Sequence, residues 1–600
     1  MNKLLIIYQI SPLNLILIIL FRVIGYRVNY FNITKILKIK FVINFLHLLG
    51  IHRVDYNKIK IKNGLIFDEL IKSNYKISKF ISMSLWSNHL KKIFLSFNNF
   101  NLCVVDESLN RLKITNELIS YKNFIYKKKK PKSLLIVAEF NLQNYSYFKN
   151  YSEKNNLKVI YLLNLVNICF IFFKFFKFFF KSILSSLKIT NNSKIENIKN
   201  NEKFFENKVL FFPNHGVFNT RVDKRYYYSK KYKNLNPEKI LHVELLNSHL
   251  KFLTPSVLKF YRKNSIKNIC WENLEKKISK DLILKTITLC FRNTKKLNLL
   301  NFLFFFMIIY KLNYHLKILN RFKKVKVILV GQADLFPNTI SVASRINKIK
   351  TISFQNRLVN PTFLLKMKCI DNYFCIGKNS IKNLSHRYDK KMKLGKIFPI
   401  LNRDEKILPK QSLKLKRCLI LPYSINSDWF LQGREIVSNS NNIEEFLNKI
   451  ILIIKKEKKI EFIIKFKSDS FKFNGKINNL VKKLKMFKNA KVKHGFILQH
   501  KELVNFDLVI GQPTSLIESC IFLSISSLIY EKNESYKELI ICDDDKIFCN
   551  YENILSKFDL HKKNLIYYKK NINDVKKKLF FKYDPEKIEK IKEQINRIAK

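Results

Sequence analysis

Asp507-Leu508-Val509-Ile510-Gly511-Gln512-Pro513-Thr514-Ser515-Leu516-Ile517-Glu518-Ser519-Cys520, followed by Ile525-Ser526-Ser527-Leu528-Ile529-Tyr530, is the stretch that decides the fold of this chain. A short apolar run ends in a Gly/Pro turn, a helix opens on Thr/Ser, and a second apolar run follows. Runs of this kind, buried on both faces and joined by a helix, predict a parallel βαβ unit. The turn presents unpaired backbone N–H groups at a helix N-terminus, where the helix dipole reinforces their attraction for an anion such as phosphate. Ser515 and Glu518 also stand at capping-box spacing, in which each side chain satisfies the other's backbone donor. The two roles are compatible, because a capped N-terminus keeps further N–H groups to offer.

Outward from this unit the same alternation continues. Strands are expected at 417–421, 460–466 and 490–493, with helices at 443–456 and 477–486, which makes a Rossmann-like domain of ordinary size. Upstream, strands are expected at 4–8, 27–31, 102–106, 134–138, 159–163, 209–212, 240–245, 325–330, 349–354 and 373–376. A helix opens at Ser11-Pro12, a second covers 339–347, and the apolar run 299–310 reads as a buried crossover helix before the strand at 325. The fold class is therefore α/β, with two Rossmann-like domains facing a cleft. The polar segment 399–409 divides them into 1–400, which carries helical insertions, and 401–600. Ligand-binding residues belong after the carboxyl ends of the strands. There the sequence places Pro213-Asn214-His215-Gly216, Gly331-Gln332-Ala333-Asp334 and Gln355-Asn356.

The order strand, Gly-x-Pro-Thr-Ser, helix with an early Glu, strand resembles the donor half of glycosyltransferases of the GT-B architecture, in the style of capsule and surface-polysaccharide biosynthesis proteins. The resemblance implies that Gly511, Thr514 and Ser515 lie at the donor phosphates and that Glu518 reaches the ribose. Lys465 and Lys467 stand where related transferases often carry Lys-x-His-Pro, although the His-Pro is missing here. His494 follows the next strand, close to the donor turn. The base that takes the acceptor proton comes from the first domain in such enzymes, and His215 and Asp334 are the candidates. The region around Asp334 and Gln355 is similar to the same group, which commonly has Gln-His-Gly where this chain has Gln355-Asn356-Arg357. The resemblance implies a nucleotide-sugar donor, a glycan or glycolipid acceptor, and no metal or other cofactor.

Two other readings share the residues. A nucleotide-sugar epimerase has the same fold, but its usual Ser-Gly-Gly with paired glutamates is replaced here by Gly511 to Glu518. A non-catalytic assembly or export factor would use the domains as a glycan scaffold. The triplet Asp543-Asp544-Asp545 after an apolar run imitates the Asp-x-Asp of metal-dependent, single-domain transferases. It trails the donor-like turn instead of preceding it, and reads as a solvated acidic turn.

The chain has 600 residues, 47% of them hydrophobic, enough for several cores and too many for one. With 112 Lys and Arg against 45 Asp and Glu, the formal net charge is +67. The lysines are spread throughout, without zinc-finger spacing, an RRM-type motif or a basic arm, so no nucleic-acid partner is expected. Attraction to anionic lipid or glycan fits better. Ten cysteines without any C-x-x-C pair fit a reducing cytoplasm. In the segment 159–187, Lys174, Lys177 and Lys181, with Lys188 just beyond its end, share one arc of a helix whose remainder is rich in Phe. That pattern predicts an interfacial anchor, with the protein cytoplasmic and peripheral on the inner face of the membrane.

Overall fold

The computed structural model describes residues 3–10, 12–33, 40–53, 74–111 except 77, 80 and 84, 133–140, 158–163, 206–213, 240–245, 255–263, 266–271, 274, 286–290 except 289, 299–355, 363–397, 414–422, 440–466, 471, 475–494, 500–512, 514–530 and 547–599 except 583. In chain order these form β1 (Lys3–Ile10), α1 (Pro12–Val23), β2 (Arg27–Ile33), α2 (Lys40–Leu48), β3 (Ile51–Arg53), α3 (Asn88–Phe94), α4 (Phe97–Arg111), β4 (Ser133–Phe140) and β5 (Lys158–Leu163). Next come β6 (Val209–Phe212), β7 (Ile240–Glu244), α5 (Pro255–Lys263), β8 (Lys267–Cys270), α6 (Leu299–Arg321), β9 (Val327–Val330), α7 (Asn338–Ile346), β10 (Lys350–Phe354), β11 (Asn372–Cys375), α8 (Lys378–Leu384) and β12 (Lys393–Lys396). The remainder is β13 (Arg417–Leu421), α9 (Ser440–Lys456), β14 (Glu461–Phe466), α10 (Gly475–Met486), β15 (Ala490–His494), α11 (His500–Leu503), β16 (Leu508–Gly511), α12 (Ser515–Phe522), β17 (Ser526–Tyr530), β18 (Phe548–Cys549), α13 (Ile554–Lys563), α14 (Leu565–Leu579) and α15 (Pro585–Ala599).

The chain divides into two compact units, Met1–Asn201 with Leu274–Arg321 and Pro337–Asn347, and Glu202–Asn273 with Phe322–Phe336 and Lys348–Lys600. The first unit holds a five-stranded sheet in the order β3-β2-β1-β4-β5, all parallel. Its other helices bind one another through polar contacts. Asn338 donates its backbone N–H to Asp106 and its side-chain amide to the Leu102 carbonyl, at 2.9 and 2.8 Å, and Lys311 pairs with Glu107 at 2.6 Å. The expected strand at 102–106 is instead the middle of α4. Residues 99–105 are all buried, so this apolar run belongs to a helix enclosed on every side, which lacks the one-sided period that marks a surface helix.

The second unit holds two parallel sheets. One has seven strands in the order β12-β11-β10-β9-β6-β7-β8, the other six in the order β15-β14-β13-β16-β17-β18. Renumbered from their own first strands, these read 7-6-5-4-1-2-3 and 3-2-1-4-5-6, the doubly wound Rossmann order. They are the two Rossmann-like sheets that the alternation predicts, and the α/β class holds. Over 1–400, where we expect one Rossmann-like domain, the five-stranded sheet forms in addition to the seven-stranded one.

The six-stranded sheet is covered on both faces. Cys418, Ile420, Phe462, Ile464, Leu508 and Ile510 pack on one side with α9, α10 and α13, while Leu419, Leu421, Ile463 and Val509 pack on the other with α12 and α14. In α9, Ile443, Phe446, Leu447, Ile450, Ile453 and Ile454 are buried at helical spacing. Each such side chain contributes about 1.5–3 kcal/mol relative to exposure. At the amino ends of the strands, the buried Asp507 accepts from the Lys416 and Arg417 amides at 2.9 and 3.0 Å, pinning β16 to β13.

The chain then returns to the seven-stranded sheet. After α14, Phe580 bridges Gly377 in antiparallel fashion, and the Phe581 amide donates to Ile376 at 3.1 Å. Ile591 and Ile595 of α15 share a core with residues of both sheets. Among the described residues, no helix is long and apolar enough to cross a membrane.

Three buried histidines make the fold sensitive to acid. His242, His315 and His561 are buried, and burial pushes each imidazole from about 6.5 down to about 3, helped at His315 by Lys311 and at His561 by Lys557. An unfolded chain takes up protons below about pH 6.5 that these folded sites refuse. Stability from each is therefore full above 6.5 and falls by about 1.4 kcal/mol per pH unit towards 3. Melting temperature should drop between pH 7 and pH 5, less steeply in His561→Gln. A flat profile over that range would contradict the assignment.

Candidate functional site

Gly511 ends β16, next to β13 and opposite Leu421. These two strands are where the sheet order reverses, the point at which open α/β sheets leave a crevice. The Gln512 amide donates to the Leu421 carbonyl at 3.0 Å, so the turn leaves the sheet hard against β13. A Cβ on Gly511 would stand 2.7 Å from the Leu421 Cβ and 3.0 Å from its carbonyl oxygen. The glycine is required by this close approach.

Thr514, in extended conformation with φ −139° and ψ 154°, is the N-cap of α12, and its hydroxyl accepts from the Ile517 amide at 3.4 Å. This corrects the capping box expected at Ser515 and Glu518. The cap falls one residue earlier, so the third helical position is Ile517, and Glu518 stands one step beyond reciprocal capping range. Ser515 is the first residue of the helix. The amides of Thr514, Ser515 and Leu516 have no acceptor within the helix, and they open at the carboxyl edge of the sheet. Glu518 is buried at 2% exposure in the first turn, where the positive end of the helix favours a carboxylate. Thr514→Ala should cost about 1 kcal/mol in a urea titration. No change in the midpoint would remove the capping role.

Lys465 is half-buried near the end of β14, beside β13, and on the same face as Ile463, Leu421 and α12. His494 ends the edge strand β15 and is exposed, with its ring 5.8 Å from that of Phe471. At about 4.8 Å per strand, Lys465 lies about 10 Å and His494 about 14 Å across the sheet from Gly511. All three stand at the same edge. Lys467 lies outside the described residues, as do Pro513, Asp543, Asp544 and Asp545.

The seven-stranded sheet has its own reversal point, between β6 and β9, where the Gly331 amide donates to Phe212 at 2.7 Å. Asp334 follows in a 3₁₀ turn, Ala333–Leu335. His215 lies outside the described residues. Beneath the turn, the Phe212 ring packs edge-on against Trp271 and Phe336, at 5.3 and 5.1 Å. The buried Lys368 donates to the Phe336 carbonyl at 2.9 Å. Gln355, expected among binding residues, is buried. Its side-chain oxygen accepts from the Ile376 amide at 3.1 Å, which ties β10 to the end of β11.

One group at this edge is absent from the sequence expectations. Glu244, the last residue of β7, is fully buried and accepts from the Tyr261 hydroxyl at 3.4 Å, while Nδ1 of His242 lies 3.1 Å from that hydroxyl. Burial keeps His242 neutral, and with the single Tyr261 hydroxyl proton given to Glu244, the tautomer that fits this chain of contacts carries its proton on Nδ1. The signal was present in Ile240-Leu241-His242-Val243-Glu244, where two polar residues two apart share one face of an apolar strand. Among the described residues, no group of three or more His, Cys, Asp or Glu stands where it could hold a metal ion.

No family model matches the sequence. None of the curated proteins matches it either. Among solved structures the chain is similar to MurG of Acinetobacter baumannii, with 9% identity, a TM-score of 0.34, and 65% of this chain and 99% of that one covered. It is similar to a glycosyltransferase of Rickettsia africae at 11% identity and TM-score 0.35, covering 66% and 99%. It is also similar to the MnaA–UDP co-structure from S. aureus at 12% identity and TM-score 0.35, covering 66% and 98%. With scores this low, the fold assignment rests on the strand order and register given above.

Proposed function

We propose that this chain is a metal-independent glycosyltransferase that moves a sugar or sugar-like unit from a nucleotide donor to a growing capsule- or lipopolysaccharide-type glycan. The observation that carries the reading is the turn Gly511 to Thr514, with the open end of α12 at the reversal point of a Rossmann-ordered sheet. In this reading the amides of Thr514, Ser515 and Leu516 hold the donor diphosphate, Glu518 holds the ribose, and Lys465, Lys467 and His494 add positive or polar contacts. His215 or Asp334 takes the proton of the acceptor hydroxyl as its oxygen bonds to the anomeric carbon. The bond from that carbon to the phosphate oxygen breaks, and the nucleoside diphosphate leaves with its charge against the helix N-terminus. Residues 401–600 supply the donor side and 1–400 the acceptor side, in a cytoplasmic protein peripheral to the inner face of the membrane. Of the basic, Phe-rich segment 159–187 expected as an interfacial anchor, 159–163 belong to β5 and pair with β4, so the proposed anchor is the remainder, 164–187, which lies outside the described residues.

A thermal-shift screen of nucleoside mono- and diphosphates tests this. At a hundredfold excess over Kd, the cognate nucleotide should stabilise the protein by about 2.7 kcal/mol. Absence of stabilisation by every nucleotide would sink the transferase reading.

A further inference from the structure

The five-stranded sheet of the first unit carries an apolar surface that the donor site does not use. On α1, Ile16, Leu20 and Val23 are exposed, as is Ile24 in the turn that follows it, Val23 at 79%. On α2, Phe41, Phe45 and Leu48 are exposed, Phe41 at 77% and Leu48 at 86%. At about 100° per residue each set lies on one face of its helix, opposite Ile18 and Leu46, which enter the core. α1 joins β1 to β2 and α2 joins β2 to β3, and the sheet order β3-β2-β1 runs in one direction. Two right-handed crossovers in one direction put both helices on the same side of the sheet, as neighbours. Arg22 locks them together, its Nε donating to the Leu49 carbonyl at 2.5 Å and Nη1 to Tyr26 at 3.4 Å. Gly50 leaves room for this, since a Cβ there would stand 2.8 Å from Nη2 of Arg22.

Seven large apolar side chains on two parallel neighbours form a patch of roughly the size, or larger, than soluble monomers leave uncovered. Charge decides what covers it. Residues 1–54 contain no Asp or Glu against seven Lys and Arg, and the chain carries a net charge of +67. A second copy would meet like charge, whereas an anionic bilayer meets opposite charge and accepts apolar side chains beneath its headgroups. We infer that the α1–α2 face docks on an anionic lipid surface, with Leu20, Phe41, Phe45 and Leu48 entering the interface. This docking is independent of the donor site and of the segment 164–187.

The test is co-sedimentation of the full chain with vesicles of phosphatidylcholine alone and of phosphatidylcholine mixed with phosphatidylglycerol. The wild type should bind the anionic vesicles, more weakly as salt rises, and Leu20→Glu/Phe45→Glu should bind about tenfold less tightly or worse. The milder Ile16→Ser/Phe41→Ser should fall between them, and Met486→Glu, an exposed apolar position on α10, should bind as wild type. Both α1–α2 variants should melt like the wild type, because every altered side chain is exposed. Undiminished vesicle binding by them, including a case in which only Lys174→Glu/Lys177→Glu/Lys181→Glu is impaired, would overturn the inference. So would absence of binding by the wild type, or a wild-type dimer that these variants convert to monomer without loss of vesicle binding.

Discussion

Gly511→Ala is expected to lower stability by about 1–3 kcal/mol and to remove nucleotide binding. The added Cβ would meet the Leu421 Cβ at 2.7 Å and the Leu421 carbonyl oxygen at 3.0 Å, with Cδ1 of Ile517 at 3.5 Å behind them. Leu421 cannot turn away, because its carbonyl accepts from Gln512 and its backbone is paired in register with Gly511. Relief must therefore come from separating β16 from β13 or tilting α12, and either movement displaces the amides of the turn. A urea titration should show a lower midpoint with an unchanged m value. An unshifted midpoint would mean that the strands part without cost and that the glycine has no packing role.

Glu518→Gln should act in the opposite way, weakening nucleotide binding by about tenfold to a hundredfold while leaving the midpoint close to wild type. A carboxylate accepting from a ribose hydroxyl contributes about 1.5–3 kcal/mol as a charged hydrogen bond, and the amide keeps the shape without the charge. Because Thr514 and not Glu518 belongs to the cap, the substitution leaves the helix start intact. Calorimetry with the nucleotide found in the thermal-shift screen measures the change. Unaltered affinity would confine Glu518 to a structural role in the first turn.

The six-stranded sheet was legible in the sequence because its central strands are buried on both faces and so appear as short apolar runs, Cys418 to Leu421, Phe462 to Ile464 and Leu508 to Ile510, while the exposed edge strand β15 keeps the alternation of Lys491, Val492 and Lys493. Arg417–Leu421 matches its expected bounds, and Glu461–Phe466 and Ala490–His494 differ from theirs by one residue at an end. The same logic failed at 102–106, where burial on all sides erased the helical period and left only an apolar run. The cap moved by one residue because two neighbouring hydroxyls both suit it, and the choice follows from where β16 delivers the chain. The third sheet, the return of α14 and α15 to the seven-stranded sheet and the His242–Tyr261–Glu244 chain depend on pairings between distant segments. Local periodicity carries no record of such partners. The exposed faces of α1 and α2 were hidden for a related reason, since Leu, Ile and Phe at helical spacing read equally well as core.

The most direct test of the donor-site account is hydrogen exchange of the full chain with and without the saturating nucleotide. Protection should concentrate on the amides of 511–518, with a weaker effect at 465–466, and should be lost in Gly511→Ala. Protection confined to other parts of the chain, with the 511–518 amides exchanging at the same rate in both states, would contradict it.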